Sequence, residues 1–358
     1  MTDPLDDIRS IAKRVEPVDP AWFERAWRRL DSLTKPPRSL GRLELVAAQL
    51  AAIQQTLAPA SRPAAVVVFA GDHGVAAHGV SAYPQEVTAQ MVANFAAGGA
   101  AINQLAKAAG AELVVYDVGV AHDLPEMPRV RHAKVRRGTA DMTAGPAMTP
   151  QEARDAVLTG FHAAEALILE RGVRVLAIGE MGIANTTAAS ALFCGLTGID
   201  PVSSVGAGTG LDEEGISRKA EVVRKALHTN QASLADPASA LASVGGLEIA
   251  AMAGAFLACA THKAAAVLDG FISSVSALAA CRICPACAGY FVSSHRSRER
   301  GHSLVLDELR IEPLLDLDLR LGEASGAALA LPLIDAACAV MNGMATFAEA
   351  GVSGPTEQ

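Results

Sequence analysis

The amino-acid sequence predicts an α/β fold: a doubly wound, mostly parallel sheet that is flanked by helices in a Rossmann-like arrangement. Short apolar runs of strand length alternate with longer segments that carry apolar residues at helical spacing. This alternation is typical of parallel strands joined by helices. Candidate strands are missing from both ends of the chain, so we expect a small helical domain built from residues 1–30 and 316–358. Residues 31–315 then form a large α/β domain.

The composition fits a protein with a large aliphatic core. Of the 358 residues, 51% are hydrophobic and only 4% are aromatic, so Ala, Val, Leu and Ile must build the core. The formal net charge of -8 argues against nucleic acid or an anionic membrane surface as the main partner. The N-terminus lacks the apolar core of a signal peptide, and six cysteines without a paired framework indicate a cytoplasmic location.

Helices dominate the start of the chain, and the first strand follows them. The run AAVVVFA at 64–70 is typical of a strand buried on both faces, and it leads into a glycine-punctuated loop at 71–83. A polar, irregular segment at 119–148 contains a basic cluster, which we interpret as a solvated face. The expected elements of this half are helices 20–33 and 40–57, strand 64–70, helix 84–96, strand 112–118 and helix 150–171.

The second half repeats the alternation of strands and helices. A short apolar segment at 202–205 leads into the glycine-rich turn GAGTG, and a charged helix follows that turn. The expected elements are strand 175–178, a helix that begins behind residues 185–187, helices 212–228 and 246–260, strand 264–268, helix 271–281, a last strand at 290–292 and a long apolar helix at 327–345.

The stretch VLAIGEMGIANTTAAS, residues 175–190, carries the first functional signal. Its strand ends at two glycines, Gly179 and Gly182, which bracket Glu180 in a tight turn. Residues 185–187 are good N-cap residues for the helix behind them. The N-terminus of such a helix can bind an anion through its free backbone N–H groups. An ordinary strand-to-helix turn is the alternative.

Four loops should meet at one edge of the sheet, because ligands of doubly wound sheets bind beyond the carboxyl ends of the strands. They are residues 71–83, 179–187, 206–210 and 293–302, and three of them are rich in glycine. The GxGxG spacing of GAGTG is not the dinucleotide fingerprint, and no acidic residue follows at the required offset. A nicotinamide-dependent dehydrogenase is therefore a poor fit.

Three further groups carry candidate chemistry. The cysteines of CRICPAC have metal-like spacing, but they lie in an apolar segment without a fourth ligand, which favours small buried cysteines. Asp72 and His73 could serve as metal ligands or acid–base groups, although hydrogen bonds that hold their loop in shape are the simpler interpretation. Glu323 precedes an apolar helix among small neighbours, and such surroundings raise the pKa of a carboxyl group toward that of a useful base.

Six motifs occur in register along the chain: GDHGV with VSAYPQEVT, then GEMGIANTT, VGAGTG, GGLEIAAMAGA, SHRSRERGH and RLGEASGAALA. Together they resemble the nicotinate-nucleotide–dimethylbenzimidazole phosphoribosyltransferase family over nearly the whole chain. The resemblance implies transfer of the 5-phosphoribosyl group from nicotinate mononucleotide to 5,6-dimethylbenzimidazole. The products are α-ribazole 5′-phosphate and nicotinate, in the nucleotide loop assembly of cobalamin. Ala184 and Ala324 depart from the pattern, because glycine is expected at both positions.

The resemblance also implies the roles of individual residues. Glu323 takes the proton that the benzimidazole loses, and Glu180 is the second catalytic carboxylate. No cofactor and no metal are expected, because the pyridinium is already a good leaving group. The expected partners are the two small-molecule substrates and a second copy of the chain in a homodimer. The expected substrate-binding residues are Ser81, Tyr83, Gln90, Met181 and Leu321 around the benzimidazole, and Gly182, Gly206, Gly208, Lys219 and Ser297 on the nucleotide side.

Two other classes of protein remain open at this point. One is a different phosphate-binding enzyme on the same scaffold, which needs a redox cofactor or an acid–base pair that the sequence does not place. The other is a non-catalytic sensor of nucleotides or benzimidazoles, and the presence of Glu323 argues against it.

Overall fold

The computed structural model describes residues 3–353, which contain a six-stranded sheet and a separate pair of short strands. Strand β1 is buried along its whole length, as expected for an uncharged strand that is covered on both faces. The strands are β1 (Ala64–Gly71), β2 (Glu112–Gly119), β3 (Val130–His132), β4 (Val175–Met181), β5 (Ala265–Leu268), β6 (Phe291–Ser293), β7 (His295–Arg296) and β8 (Leu315–Asp316).

The six-stranded sheet has the order β3-β2-β1-β4-β5-β6, and all of its neighbouring strands are parallel. This order confirms the predicted doubly wound, Rossmann-like sheet. The strand order reverses between β1 and β4, so the carboxyl ends of these two strands are the expected place for a binding crevice. Strands β7 and β8 form the separate pair, which is also parallel.

Helices cover the sheet and fill most of the remaining chain. They are α1 (Asp6–Ala12), α2 (Pro20–Asp31), α3 (Arg42–Gln54), α4 (Glu86–Ala97), α5 (Ala101–Ala108), α6 (Pro150–Arg171), α7 (Asn185–Thr197), α8 (Pro201–Ser204), α9 (Glu213–Thr229), α10 (Pro237–Val244), α11 (Leu247–Thr261), α12 (Phe271–Ile283), α13 (His302–Leu309), α14 (Ser325–Gly343) and α15 (Phe347–Ala350). Helices α11 and α12 pack against each other and against strands β4 and β5. Helix α14 packs against the same two strands and against helix α3. Helix α11 is apolar on nearly all sides, and all but its last residue is buried.

Helices α6 and α11 pack closely because each presents a glycine to the other. A Cβ atom on Gly160 would overlap the carbonyl oxygen of Ala251 and lie 2.7 Å from its Cα. A Cβ atom on Gly254 would overlap the carbonyl oxygen of Val157 and lie 2.9 Å from the backbone nitrogen of Phe161. The two helix backbones therefore touch, and neither side has room for a methyl group.

Some elements differ from the expectation. Residues 202–205 lie at a short helix, which begins at Pro201 and is capped by Asp200, whose side chain accepts from the Val202 N–H at 2.8 Å. The turn GAGTG therefore follows a short helix, an element that was not assigned from the sequence. Strand β3 lies in the segment that was expected to be irregular. It was not predicted because it is only three residues long and Val130 is its one buried residue. Helices α1, α5, α10, α13 and α15 are additional to the expected ones.

The start of helix α7 also differs from the expectation. Strand β4 continues to Met181, so Glu180 lies in the strand rather than in a turn. The residue that precedes the helix is Ala184, whose φ of 72° is left-handed, and no side chain caps the helix there. Residues 185–187, expected as caps, form the first turn of the helix instead.

The segment after α2 meets the segment after α14. Leu33 and Thr346 form an antiparallel bridge, and the Thr34 N–H donates to the carbonyl of Ala345 at 3.0 Å. The buried side chains of α14 belong to the same hydrophobic core as those of the strands. The separate helical domain built from both termini stays a prediction.

Helix α14 is long and apolar enough to cross a membrane by length and composition alone. Half of its most apolar window is buried inside the protein, and the helix contacts two strands of the sheet. Such contacts are typical of a helix in the core of an α/β protein.

We expect Gly160→Ala and Gly254→Ala each to lower the free energy of unfolding by about 1–3 kcal/mol, because the added methyl group overlaps backbone atoms of the facing helix. Gly343→Ala, at the end of α14, is the matched control, since nothing lies within 4 Å of its Cβ position. Denaturant unfolding followed by circular dichroism measures all three variants. Equal stability of Gly160→Ala and Gly343→Ala would contradict the close packing.

Candidate active site

A cleft of about 690 Å³ lies at the carboxyl ends of the strands, beside the point where the strand order reverses. It is lined by the end of β4, by loops that follow β1, β5 and β7, by the glycine-rich turn at 206–210, and by the segment before α14. Its volume suits a ligand of nucleotide size. Most of the predicted site residues line it, namely Tyr83, Glu180, Met181, Gly182, Gly208, Ser297, Leu321 and Glu323.

Glu180 is the carboxyl group at the end of β4, and only 5% of the residue is exposed. The side-chain amide of Asn185, in the first turn of α7, donates to its Oε2 atom. Burial raises the pKa of Glu180 well above its ordinary value, and the nearby carboxylate of Glu248 raises it further. Asp269 and Glu323 act in the same direction. Burial and these charges thus shift the Glu180 carboxyl group toward its protonated form.

Glu323 is the second carboxyl group of the cleft and lies just before α14. It is 5% exposed, and its buried Oε2 atom has no hydrogen-bond partner among the described residues. Burial raises the pKa of Glu323 to about 7, and the negative charge of Asp269 adds to the shift. A carboxyl group that titrates near neutral pH can accept a proton and release it again.

Asp269, directly after β5, holds the helix that follows Glu323. Its Oδ1 atom accepts hydrogen bonds from the backbone N–H groups of Gly326 at 2.8 Å and Ala327 at 3.0 Å, both in the first turn of α14. The cap of this helix thus comes from a residue that is distant in sequence, and the helix dipole favours the negative charge. Asp269 fixes the N-terminus of α14 against β5 and places a charge near Glu323.

The backbone around the two carboxyl groups is tightly packed. A Cβ atom on Gly179 would overlap the backbone nitrogen of Ala324 and lie 2.6 Å from its Cα. Glu323 and Ala324 both have a φ of 62°, and Ala184 has a φ of 72°. This left-handed conformation favours glycine. Glycine is also the residue that the family resemblance leads us to expect at positions 184 and 324.

Lys219 projects from α9 and is fully buried. Its Nζ atom donates to Oγ1 of Thr186 at 2.7 Å, and a Cβ atom on Gly208 would lie 3.1 Å from Nζ. Gly206, in the same glycine-rich turn, lies against Oε2 of Glu299. We call these five residues the Lys219 corner. Burial lowers the pKa of Lys219 to about 8, and the charge of Glu299 opposes this shift.

The Lys219 corner combines three features that bind phosphate. Thr186 belongs to the first turn of α7, where the helix dipole favours an anion. The glycine-rich turn allows a ligand to approach the backbone closely. An ammonium group can donate three hydrogen bonds. Within the described chain Lys219 donates one, to Thr186, so two donors remain for a ligand.

Some of the predicted residues lie at the rim of the cleft or outside it. Tyr83 and Leu321 line the cleft, and each is 55% exposed. Ser81 does not line it, but its Oγ atom lies 3.1 Å from Oγ1 of Thr209, which does. Gln90 is exposed on α4 and does not line the cleft. Apolar side chains contribute much of the lining: Val87, Met91, Met181, Ile183, Phe271 and Ile272.

A buried polar network supports the loop that carries Ser297. The Ser297 N–H donates to Nδ1 of His302 at 2.8 Å, and Nε2 of His302 lies 3.0 Å from Oγ of Ser274. Burial lowers the pKa of His302 to about 3, so this imidazole is neutral near pH 7. Its Nδ1 therefore accepts while Nε2–H donates, and both bonds fix the loop beside the cleft.

The GDHG motif is part of a second buried network. Nε2 of His73 lies 2.7 Å from Oε1 of Glu248, and both residues are fully buried. Asp72 accepts from the Ala121 N–H at 2.8 Å through its Oδ2 atom. These contacts agree with the interpretation that the motif shapes its loop. In residues 3–353, no group of three or more His, Cys, Asp or Glu side chains is arranged to hold a metal ion.

Two further features lie outside the cleft. Cys284 and Cys287 of CRICPAC are buried as free thiols, as predicted, whereas Cys281 is partly exposed. A second cleft, of about 560 Å³, lies between α2, α3 and the edge strand β6, with a largely apolar lining that includes Phe23 and Leu45. None of the predicted site residues lines this second cleft.

Sequence reasoning missed three charged residues of the site. Asp269 could have been found, because it directly follows the predicted strand 264–268 at the edge where ligands bind. Glu299 lies in the predicted ligand loop 293–302 but was not singled out there, and Glu248 has no comparable local signal. Their positions depend on how α11 and the loop after β7 pack against other elements.

The fold and the cleft define a doubly wound α/β protein with a nucleotide-sized cleft at the carboxyl ends of its strands, and comparison with known proteins makes the class specific. A protein-family model described as Phosphoribosyltransferase matches residues 15–352. The chain is 48% identical over 349 residues to the nicotinate-nucleotide–dimethylbenzimidazole phosphoribosyltransferase of Chloroflexus aurantiacus, which covers 98% of this chain and 99% of that protein. The protein with the same name from Thermus thermophilus is 51% identical over 336 residues, or 94% of this chain and 99% of that protein.

The three-dimensional comparison agrees with the sequence comparison. The crystal structure of nicotinate-nucleotide–dimethylbenzimidazole phosphoribosyltransferase from Thermus thermophilus has a TM-score of 0.89 and 50% identity to this chain. The match covers 94% of this chain and 100% of that chain. This chain belongs to the nicotinate-nucleotide–dimethylbenzimidazole phosphoribosyltransferase family, and the resemblance read from the six motifs is confirmed.

Glu323→Gln should stabilise the protein at alkaline pH relative to the wild type. The folded-state pKa of about 7 lies above the ordinary value of 4.5. The contribution of Glu323 to the free energy of unfolding is therefore complete below pH 4.5 and is lost as the pH rises through 7. Glutamine does not ionise, so the variant gains up to about 3 kcal/mol over the wild type at alkaline pH.

Urea unfolding from acidic to alkaline pH measures this difference. Glu126→Gln is the control, because its side chain is 93% exposed and the same substitution there removes no buried charge. If the stability curves of Glu323→Gln and the wild type run parallel across this range, the carboxyl group is not buried as described.

Proposed function

We propose that this protein transfers the 5-phosphoribosyl group from nicotinate mononucleotide to 5,6-dimethylbenzimidazole, giving α-ribazole 5′-phosphate and nicotinate for the nucleotide loop of cobalamin. The observation that carries the proposal is a single cleft in which a carboxyl group with a pKa near 7 and apolar lining adjoin a cationic, glycine-rich corner. The sequence identity of about half to proteins named nicotinate-nucleotide–dimethylbenzimidazole phosphoribosyltransferase supports the same reaction.

Glu323 is the general base of the proposed reaction. One ring nitrogen of the benzimidazole attacks C1′ of the ribosyl group, and the electron pair of the bond between C1′ and nicotinate leaves with the nicotinate nitrogen. The other ring nitrogen of the benzimidazole loses its proton to the Glu323 carboxylate. The unpartnered Oε2 atom of Glu323 supports this role, since no hydrogen bond has to be broken before it takes a proton.

Glu180 is the second catalytic group of the proposal. Positive charge develops on the ribosyl group while nicotinate departs, as it does in glycoside cleavage. Carboxyl oxygens beside that charge stabilise the transition state. The contact with the Asn185 amide supports this role, because it restricts the orientation of the Glu180 carboxyl group.

The Lys219 corner is the proposed site of the donor phosphate. With a pKa of about 8, Lys219 is cationic at neutral pH and can pair with the phosphate. Met181, Leu321 and Tyr83 then lie around the flat, apolar benzimidazole, whose site needs apolar walls and few polar groups. No cofactor or metal enters these steps.

We further propose that the protein is a cytoplasmic homodimer. Tyr83 and Leu321 are large side chains that stay half exposed at the rim of the cleft, and a second subunit would cover them. The free cysteines support a reducing compartment. Light scattering after size exclusion tests the dimer.

Glu323→Gln should still bind both substrates, because the amide keeps the shape of the side chain. Its kcat should fall by about 10²–10⁴-fold, because the amide accepts no proton. In the wild type, kcat/KM should rise with pH as the group ionises near pH 7 in the free protein. Nicotinate release from nicotinate mononucleotide, measured by chromatography, follows both effects. Activity close to that of the wild type in Glu323→Gln would rule out this base.

Gly208→Ala should raise the KM for nicotinate mononucleotide by roughly tenfold and leave the KM for dimethylbenzimidazole unchanged, because a lost phosphate contact costs about 1.4 kcal/mol. The added Cβ atom lies 3.0 Å from Oγ1 of Thr186 and 3.1 Å from Nζ of Lys219, so it crowds the corner. Gly198→Ala is the matched control, with a φ of 76° against 54° for Gly208 and no atom within 4 Å of its Cβ position. Equal changes in both KM values would indicate a general defect in place of a blocked phosphate site.

A further inference from the structure

We propose that the Glu299 carboxylate stands at the entrance to Lys219 in the nucleotide-free enzyme, and that phosphate must displace this carboxylate to reach Lys219. The inference deepens the proposed function and rests on it, because it assumes that this corner receives the donor phosphate. It assigns Glu299 a role in selecting which anions enter.

The first observation concerns the unused bonding capacity of Lys219. The residue is fully buried, and burying an ammonium group is unfavourable unless hydrogen bonds or an opposite charge compensate it. Its hydrogen bond within the described chain goes to the neutral hydroxyl of Thr186. The charged group that acts on Lys219 is Glu299, whose carboxylate raises the pKa of the lysine against the effect of burial.

The second observation is the position of the Glu299 side chain. Its Oε2 atom lies against Gly206 so closely that a Cβ atom there would overlap it, and Glu299 lines the cleft. Gly206 and Gly208 belong to one turn, and Gly208 adjoins Nζ of Lys219. The carboxylate therefore occupies the mouth of the corner in which we place the phosphate.

The third observation is that hydrogen bonds anchor the backbone around Glu299 but not the Glu299 carboxylate. The Glu299 N–H donates to Oγ of Ser297 at 3.2 Å, and the next residue, Arg300, donates to the carbonyl of Val202 at 3.2 Å. The residue is partly exposed, and its carboxylate makes no hydrogen bond or ion pair within residues 3–353 by the usual distance limits. The side chain can therefore swing outward without breaking a bond.

The chemical consequence is competition between two anions for one cation. A phosphate in the corner and the Glu299 carboxylate repel each other, and like charges at short range oppose binding strongly. Nicotinate mononucleotide can offset this repulsion through contacts of its ribose and base elsewhere in the cleft. Inorganic phosphate has no such contacts, so Glu299 discriminates against it.

The test compares Glu299→Gln with Asp318→Asn and uses inorganic phosphate as the probe. Asp318 also lines the cleft, and its side chain is 80% exposed, so its substitution removes the same charge outside the corner. Titration calorimetry measures the Kd of phosphate, and the KM values of both substrates are measured in parallel. Thermal unfolding verifies that both variants are folded.

We expect Glu299→Gln to bind inorganic phosphate roughly tenfold more tightly than the wild type and to lower the KM for nicotinate mononucleotide, with the KM for dimethylbenzimidazole unchanged. Asp318→Asn should change the Kd of phosphate by less than about twofold, because an exposed charge is screened. Glu299→Asp keeps the charge on a shorter side chain and should fall between Glu299→Gln and the wild type.

Two outcomes would overturn the inference. Unchanged phosphate binding in Glu299→Gln would mean that the carboxylate does not compete with the anion, and weaker binding would mean that Glu299 holds the corner in its binding shape. Failure of the proposed function is recognised separately, since it would show as no nicotinate release from the wild type whatever the Kd of phosphate in the variants.

Discussion

The close approach of helix α14 to strand β4 is the constraint on which the candidate site depends. Gly179 leaves no space between the strand and the backbone of Ala324, so Glu323 is carried to the strand end that holds Glu180. The approach requires left-handed backbone at Glu323 and Ala324, which costs roughly 1–2 kcal/mol for each residue. Two hydrogen bonds from the α14 N-terminus to Asp269 stabilise the strained segment.

The same packing gives the carboxyl groups their chemistry. A carboxyl group in water is ionised well below neutral pH, and a base of that kind holds a proton poorly. Burial raises the pKa of Glu323 to about 7, where the group exchanges protons most effectively. The raised pKa lowers folding stability at alkaline pH, and in the proposed mechanism it makes Glu323 a useful base, a common compromise at functional sites.

Lys219 shows the corresponding effect on a cation. Burial lowers its pKa to about 8, which makes the charge easier to lose and increases the benefit of an anionic partner. The carboxyl pair and the Lys219 corner share the helix α7, whose first turn supplies Asn185 to one and Thr186 to the other. A single helix N-terminus thus contacts both the pair of carboxyl groups and the proposed phosphate site, and it fixes their relative position.

Much of the fold was predictable because its signals are local. The alternation of apolar strands and helices predicted the parallel, doubly wound sheet, and the rule that ligands bind at the carboxyl ends of strands brought Glu180 and Ser297 to one edge. The motifs identified the family and Glu323. The short helix at Pro201 was not predicted, because its four residues carry too little periodicity to distinguish a helix from a strand.

The sequence by itself determined the class of fold, the family and the chemical type of the main site residues, because each depends on residue identity and spacing along the chain. Only the tertiary structure decided which charges lie together and how deeply they are buried. Asp269 caps a helix that begins more than fifty residues later, and Glu299 meets a turn more than ninety residues earlier. A pKa depends on burial and on neighbouring charges, and both arise from packing between segments that no local pattern relates.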